Sequence, residues 1–273
     1  MILQEKFREL DQKNQALLAT NFYNYETLRA VVDAVRQSDQ SIILQASEST
    51  IRYLGVRPTV DMARAVLQEE GVTGWLHLDH AEDIGLLKSC LKAGFDSVMI
   101  DASKHPFEEN VRITREVVEY ARDFHANVEA ELGYIAKLGQ SQDKLEYTKP
   151  QEAKNYVEQP GVDCLAVAVG SSHGFYQQVP ELQMQRIGEI HQATSAHLVL
   201  HGSSGIPGEQ IQAAIGQGMR KINIATEIKD TFMSSLKSVL LDSEEIDLRK
   251  VFPKAMDQVR KLIVDKLNMI HHA

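Results

Sequence analysis

Three histidines of this sequence, His80, His173 and His201, each close a hydrophobic run that predicts a β-strand. Neutral imidazoles from three strands suit a tetrahedral zinc ion with one open position, which is typical of catalytic rather than structural zinc. The chain has ten histidines, and strand packing, helix surfaces or a frayed terminus account for the other seven, His77 among them. On spacing alone, a three-ligand site and scattered structural histidines are equal alternatives.

Carboxylates accompany these histidines on the predicted strands. Asp79 directly precedes His80, Asp101 ends the fourth hydrophobic run, and Glu131 ends the fifth. Beside a metal, a carboxylate can exchange protons with substrate, ligate the ion, or accept the hydrogen bond that orients a ligating histidine. For Asp101 and Glu131, ligation and orientation both stay open.

Small loops rich in hydrogen-bond donors follow the sixth, seventh and eighth hydrophobic runs. They contain Gly174, the sequence Gly-Ser-Ser-Gly from Gly202 through Ser204 to 205, and the segment from Asn223 to Thr226. In a parallel barrel, such loops commonly bind phosphate through backbone N–H groups and a helix N-terminus. Glycine alone would indicate only tight turns, but a glycine–serine loop followed by a helix start favours phosphate binding.

The segments that must position these residues alternate regularly. Eight short hydrophobic runs predict strands at 16–21, 41–46, 74–79, 96–101, 127–131, 163–169, 197–201 and 221–224. Between them, apolar residues at helical spacing predict helices at 25–37, 59–69, 83–93, 108–124, 150–159, 181–193 and 208–216. A helical tail is predicted from about residue 226, with an interruption at 241–247.

Eight strand–helix alternations without a linker predict one α/β domain over 1–273, folded as a (β/α)₈ TIM barrel. An open doubly wound sheet fits the same alternation, but the first strand is not followed by G-x-G-x-x-G. In the barrel, strand carboxyl ends carry the active site. The histidines, carboxylates and glycine loops would then share one rim.

The composition and net charge of the chain limit the classes of molecule that it can bind. The 273 residues carry a formal charge of −9, which argues against nucleic acid and against an anionic membrane surface as partners. A small anionic substrate is still compatible with local donors. The two cysteines are too few for a disulfide framework, so we expect both to be reduced and to serve in packing. The amphipathic N-terminus lacks the apolar stretch of a signal peptide or a membrane segment. We therefore expect a cytoplasmic protein.

Seven sequence blocks, in order, resemble the class II ketose-bisphosphate aldolases nearly end to end. They are HLDH (77–80), GFDSVMIDAS (94–103), HPFEENV (105–111), VEAELG (128–133), YTKPQEAKNYVEQPGVDCLAVAVGSSHGFY (147–176), LVLHGSSGIP (198–207) and KINIATEIK (221–229). Within that family, NIATEIK is most similar to the tagatose-bisphosphate aldolase branch, because Ala225 stands where fructose-bisphosphate enzymes usually carry Asp or Asn.

The resemblance implies a role for each matching residue. His80, His173 and His201 match the Zn²⁺ ligands, and Asp79 matches the acid–base that exchanges a proton with the substrate C4 oxygen. The matched C1-phosphate pocket comprises Gly174, Gly202, Ser204 and Thr226. Asn223 matches a residue that binds the dihydroxyacetone-phosphate half, Ser47 a serine near substrate, and Lys229 a position that can meet a distal phosphate. Asp101 and Glu131 match carboxylates that support the metal. A monovalent cation is a further candidate cofactor.

Three features of the sequence depart from the family pattern. The segment 134–146 begins YIAKLGQSQD and lacks the family's G-G-x-E-D motif, which helps to close the site. The sequence DHAED (79–83) replaces the usual DHG or DHH. Gln177 stands where a lysine often follows H-G-x-Y. These departures leave the substrate and the rate open.

Three functional hypotheses follow. The first is an aldolase that cleaves a ketose 1-phosphate or 1,6-bisphosphate of the fructose or tagatose type to dihydroxyacetone phosphate and an aldehyde. The second keeps this chemistry but changes the distal group to a deoxy or sulfonated one. The third is a non-catalytic paralogue, which the intact Asp79 and histidines disfavour. The resemblance also implies a homodimer or homotetramer, with an accessory subunit as an alternative.

Overall fold

Eight parallel strands close into a barrel in the computed structural model, which describes residues 1–133, 135, 147–176 and 178–271. The strands are β1 (Leu17–Asn21), β2 (Ile42–Ser47), β3 (Gly74–Ala81), β4 (Ser97–Ile100), β5 (Asn127–Leu132), β6 (Cys164–Val167), β7 (His197–Leu200) and β8 (Met219–Ile224). Each strand pairs with the next along the chain, and β8 pairs with β1. This order confirms the predicted TIM barrel and excludes the open sheet.

Helices cover the outside of the barrel and one of its ends. They are α1 (Leu3–Lys13), α2 (Tyr25–Ser38), α3 (Glu48–Leu54), α4 (Val56–Glu70), α5 (Ile84–Ala93), α6 (Phe107–Ala121), α7 (Pro150–Glu158), α8 (Met184–Ala193), α9 (Gly208–Gly216), α10 (Thr226–Leu241) and α11 (Leu248–His271). A short 3₁₀ turn, Arg122–Phe124, follows α6. Both faces of the strands are therefore buried, which is why they appear in the sequence as continuous hydrophobic runs.

The amino-terminal helix α1 was not among the predicted helices. Its apolar face, made of Leu3, Phe7 and Leu10, is buried in one cluster with the inward-facing Ile43 and Trp75. These two residues lie at the start of β2 and β3, so α1 covers the end of the barrel opposite to the strand carboxyl ends. The other end is left to polar side chains.

The tail consists of α10 and α11, separated at 242–247 close to the predicted interruption. α11 packs against α2 and α10, and its buried face includes Val259, Ile263 and Leu267. Both cysteines are free and buried, as predicted. Among the helices the structure describes, none combines the length and apolar character that crossing a bilayer requires.

Candidate active site

A backbone irregularity at the end of β3 aims two consecutive side chains at one pocket. In a regular strand, Asp79 and His80 would point to opposite faces. The register of β3 against β4 shifts between Leu78 and Ala81, and His80 has a positive φ of 49°. A non-glycine residue in this left-handed region costs about 1–2 kcal/mol. The bulge allows Asp79 and His80 to line the same cavity.

The three predicted histidines meet at the barrel mouth together with Glu131. Potential ligand atoms of His80, Glu131, His173 and His201 all lie within 4.8 Å of one another. The His80 ring centroid is 5.0 Å from that of His173 and 4.7 Å from that of His201. His173 comes from the loop beyond β6, because this strand ends at Val167 and not at the predicted residue 169.

The hydrogen bonds of these rings identify the nitrogens that face the common centre. His80 Nδ1 lies 2.9 Å from Asp101 Oδ2, and His201 Nε2 lies 2.8 Å from Glu129 Oε1. Since carboxylates only accept, both nitrogens carry the ring proton when the ring is neutral. The remaining atoms, His80 Nε2 and His201 Nδ1, face each other at 2.9 Å. Two lone pairs at this distance repel unless a proton or a metal ion lies between them.

The charges around the centre also favour a cation. Burial lowers the pKa of His80, but Asp79, Asp101 and Glu131 together raise it to about 9. Burial raises the pKa of Glu131 to about 8, although His80 opposes this. Within the described residues, the buried Oε2 of Glu131 has no hydrogen-bond partner. This set of donors therefore fits a divalent metal ion, with Asp101 orienting His80 from behind.

Two amide side chains hold Asp79 inside the barrel. Asn21 donates to Oδ2 at 2.9 Å and Gln45 donates to Oδ1 at 2.7 Å. Burial raises the pKa of Asp79, but the nearby histidines and Lys221, with the Asn21 hydrogen bond, lower it below its ordinary value. Asp79 is therefore a carboxylate at neutral pH, fixed in orientation and able to accept a proton.

Eight of the predicted residues line one pocket at the mouth. They are Asp79, His80, His173, Gly174, Gly202, Ser204, Asn223 and Thr226. Asn21 and Ala225 complete the lining. The buried Oδ1 of Asn223 has no hydrogen-bond partner among the described residues, and α10 begins at Thr226. Free polar atoms and a helix N-terminus thus share this pocket.

The loops after β6 and β7 approach too closely for larger residues. A Cβ on Gly202, where φ is 65°, would overlap the carbonyl group of Ser172. Tyr176 links the same two loops, because the Ser172 N–H donates to its Oη at 2.6 Å and the Oη donates to the Gly202 carbonyl at 2.8 Å. The pocket therefore depends on this tyrosine, which the sequence analysis did not select.

Two predicted substrate residues lie outside that lining. Ser47 ends β2 opposite Asp79 and caps α3, accepting from the Thr50 N–H at 3.4 Å. Lys229 lies in the first turn of α10, with its Nζ 5.5 Å from the Tyr23 ring centroid. The divergent segment 134–146, apart from 135, and Gln177 lie outside the described residues.

Four buried polar residues of the site were missed: Asn21, Gln45, Glu129 and Lys221. The side-chain period of two along a strand could have identified two of them. Glu129 and Lys221 each precede a predicted site residue by two positions and therefore lie on the same face of their strand. His77 was assigned to strand packing, and it lies buried on β3 with polar neighbours. It is fully buried, with Nδ1 2.7 Å from Ser97 Oγ and Nε2 3.4 Å from Lys221 Nζ.

The family model of class-II fructose-bisphosphate aldolase matches residues 2–273. A fructose-bisphosphate aldolase of Geobacillus stearothermophilus is 38% identical over 273 residues, covering 97% of this chain and 94% of that protein. The chain belongs to the class-II fructose-bisphosphate aldolase family. It is accordingly a metal-dependent aldolase, a carbon–carbon lyase.

Solved structures agree with this membership. The YdjI aldolase of Escherichia coli K12 superposes with a TM-score of 0.88 at 29% identity, covering 98% of this chain and 96% of that chain. The fructose-bisphosphate aldolase of Campylobacter jejuni superposes with a TM-score of 0.84, covering 98% and 93% of the two chains. At 20% identity, the second similarity shows the shared fold alone.

Proposed function

We propose that this aldolase reversibly cleaves a ketose 1-phosphate or 1,6-bisphosphate of the fructose or tagatose type to dihydroxyacetone phosphate and an aldehyde. One observation carries the proposal. Asp79, the two cluster histidines His80 and His173, and the glycine loops line a single pocket at the strand carboxyl ends. An acid–base, a metal and an anion site are thus within reach of one small substrate.

Zinc is the proposed ion, held by His80 Nε2, His201 Nδ1 and His173, with Glu131 as the adjacent carboxylate. Three nitrogen ligands with room for substrate are typical of catalytic zinc. A bound divalent ion supplies Lewis acidity to the ketone oxygen of the substrate. Asp101 and Glu129 fix the two histidine rings through the nitrogens that face away from the centre.

Asp79 is the proposed acid–base. In the cleavage direction its carboxylate accepts the proton of the C4 hydroxyl while the C3–C4 bond breaks, and in synthesis it returns that proton. Its lowered pKa supports the accepting role. Asn21 and Gln45 fix its orientation, and burial beneath the mouth keeps bulk water from the proton.

The C1 phosphate is proposed to bind between the loops after β6, β7 and β8. Gly174 and Gly202 let backbone N–H groups approach an anion closely, and Ser204 and Thr226 add hydroxyl donors. The N-terminus of α10 favours negative charge at Thr226. Asn223, which lines the same pocket, is the proposed contact of the dihydroxyacetone-phosphate half.

The distal end of the substrate is proposed to lie at the mouth of the barrel. Ser47 and Lys229 are its proposed contacts, because each lies near the mouth on the side of β1 and β2. An assay of substrates with different distal groups distinguishes a distal phosphate from a deoxy group and from a sulfonate. The zinc-loaded protein is assayed for dihydroxyacetone-phosphate release from fructose and tagatose 1,6-bisphosphates and from 1-phosphates with neutral or sulfonated ends. No release from any of them would overturn the proposal.

We include a cytoplasmic homodimer or homotetramer in the proposal. Exposed apolar side chains around the end of α10 and the turn before α11, namely Leu240, Leu241, Ile246 and Leu248, support self-association. Sedimentation of the zinc-loaded protein tests the assembly, and a monomer at micromolar concentration would contradict it.

A further inference from the structure

A buried ion pair lies inside the barrel one layer below the histidine cluster. Lys221 Nζ is 2.6 Å from Glu129 Oε2, and each side chain is 1% exposed. Burying an ion pair is costly unless hydrogen bonds satisfy both partners. The cavity-lining residues do not include either member. The pair therefore does not contact the substrate pocket.

The Lys221–Glu129 pair is connected to the histidine cluster through the imidazole ring of His201. Glu129 accepts from Lys221 with Oε2 and from His201 Nε2 with Oε1, at 2.8 Å. Glu129 and Glu131 point to the same interior face of β5, and His201 Nδ1 lies 3.8 Å from Glu131 Oε2. The imidazole of His201 is thus placed between two carboxylates from one strand.

The two carboxylates act differently on this ring. A neutral imidazole carries one N–H, and the nitrogen without it is the one that can ligate a metal. Glu129 can only accept, so it requires the proton on Nε2 and leaves Nδ1 bare toward His80. Lys221 occupies the other oxygen of Glu129, which keeps Oε1 directed at His201.

We propose that Lys221 and Glu129 are a positioning pair that selects Nδ1 of His201 as the metal-ligating atom. The inference rests on the proposed metal centre. Lys221 is on β8 and Glu129 on β5, on opposite sides of the barrel interior, so the pair ties the ligand on β7 to two walls. Partners of this kind typically contribute about 10–100-fold to metal affinity.

Two substitutions distinguish a positioning role of the pair from a role in packing the barrel interior. Glu129→Gln keeps the shape but replaces an obligate acceptor by an amide that can accept or donate, so both His201 tautomers become acceptable. Lys221→Met keeps the length of the chain and removes the donor that anchors Glu129. The control is Lys266→Met, which breaks another largely buried pair, Lys266–Glu227 at 2.9 Å, away from the histidine cluster.

The first measurement is the tautomer of His201 in the metal-free protein, from ¹⁵N–¹H correlation spectra with ¹⁵N-histidine labelling and assignment by His201→Gln. The wild-type protein should show Nε2–H and a bare Nδ1. A wild-type His201 with its proton on Nδ1 would overturn the inference without any variant. Glu129→Gln should show a mixture of tautomers, whereas unchanged Nε2–H in this variant would also count against it.

The second measurement is zinc affinity, by competition with a chromophoric chelator. We expect Glu129→Gln and Lys221→Met to weaken zinc binding by about 10–100-fold, and Lys266→Met to leave it unchanged although its melting temperature falls. Equal affinities in all four proteins would overturn the inference while leaving the proposed function intact. Absence of zinc binding by the wild-type protein would overturn the proposed function as well.

Discussion

His80 Nε2 and His201 Nδ1 face each other at 2.9 Å, while the second nitrogen of each ring is hydrogen-bonded to a carboxylate. Both rings therefore present lone pairs to one point in a site that also contains Glu131. Two neutral rings would repel each other in this arrangement, and either a proton on His80 or a metal ion between the rings removes that repulsion.

Removing either facing ring should abolish metal binding. For His80→Ala and His201→Ala we expect zinc content to fall from about one ion per chain to near zero, because too few ligands remain. Plasma mass spectrometry of dialysed protein measures this. The control is His105→Ala, at an exposed position after β4. Full zinc occupancy in either site variant would contradict the ligand assignment.

Asp79→Asn should separate proton transfer from metal binding. Turnover should fall by about 10²–10⁴-fold, as for the loss of a general acid–base, with zinc content near that of wild type. The fold should tolerate the amide, because Gln45 Oε1 has no partner among the described residues and can accept after a flip. Steady-state kinetics and metal analysis together test this. Near-full cleavage by Asp79→Asn would assign the proton to another group.

Zinc binding should release protons, and their number should fall as the pH rises. In the metal-free protein the pKa of His80 is about 9 and that of Glu131 about 8. Both groups are therefore protonated at pH 7, so about two protons should leave when zinc binds there. Above pH 9 the number should approach zero. Calorimetric titration in buffers of different ionisation enthalpy counts them, and a number that rises with pH would refute the prediction.

The same two pKa values give the metal-free protein a pH-dependent stability. The folded pKa of His80 lies above its ordinary 6.5, so its contribution is complete below pH 6.5 and is lost as the pH rises toward 9. The raised pKa of Glu131 acts in the same direction, from 4.5 to about 8. The melting temperature of metal-free protein should thus fall between pH 6.5 and 9. His80→Gln should flatten this decline, and an unchanged slope would exclude His80 as its source.

Inorganic phosphate or sulfate should compete with substrate for the glycine-loop pocket. Ser204→Ala and Thr226→Val each remove one hydroxyl donor, so the inhibition constant for phosphate should rise by about 5–10-fold per bond of roughly 1 kcal/mol. Ser89→Ala, at an exposed position on α5, serves as the control. Crystals soaked in sulfate should show the anion between Gly174, Gly202 and Thr226, and an anion elsewhere would remove the case for a 1-phosphate.

Tyr176→Phe should weaken substrate binding in this pocket without changing metal binding. It removes both hydrogen bonds that join Ser172 to Gly202, leaving a donor and an acceptor without their partner, at a cost of about 1–3 kcal/mol. We expect a lower melting temperature and a higher KM, with zinc affinity unchanged. Tyr53→Phe, at a position 79% exposed, is the matched control. An unchanged KM in Tyr176→Phe would show that the link does not shape the pocket.

Sequence periodicity was sufficient for the barrel and for most of the pocket. Eight runs buried on both faces predict a parallel sheet covered by helices, and the missing G-x-G-x-x-G favoured a barrel, in which the strand carboxyl ends meet at one rim. This is why His80, His201, Asp79 and Asn223 could be brought together before any coordinates. Strand bounds differed from the prediction by at most two residues. The helix α3 has only seven residues and carries a weak helical signal, whereas the amphipathic pattern of α1 was present in the sequence but was not assigned to a helix.

Tertiary structure alone decided how these residues cooperate. A strand pattern places Asp79 and His80 on opposite faces, and only the bulge at the end of β3 turns both into the pocket. Likewise, sequence left Asp101 and Glu131 equivalent, whereas the fold puts Asp101 behind His80 and Glu131 among the ligand atoms. Such choices depend on which side chains meet across the barrel interior. Distances between strands remote in sequence fix them, and no local pattern encodes those distances.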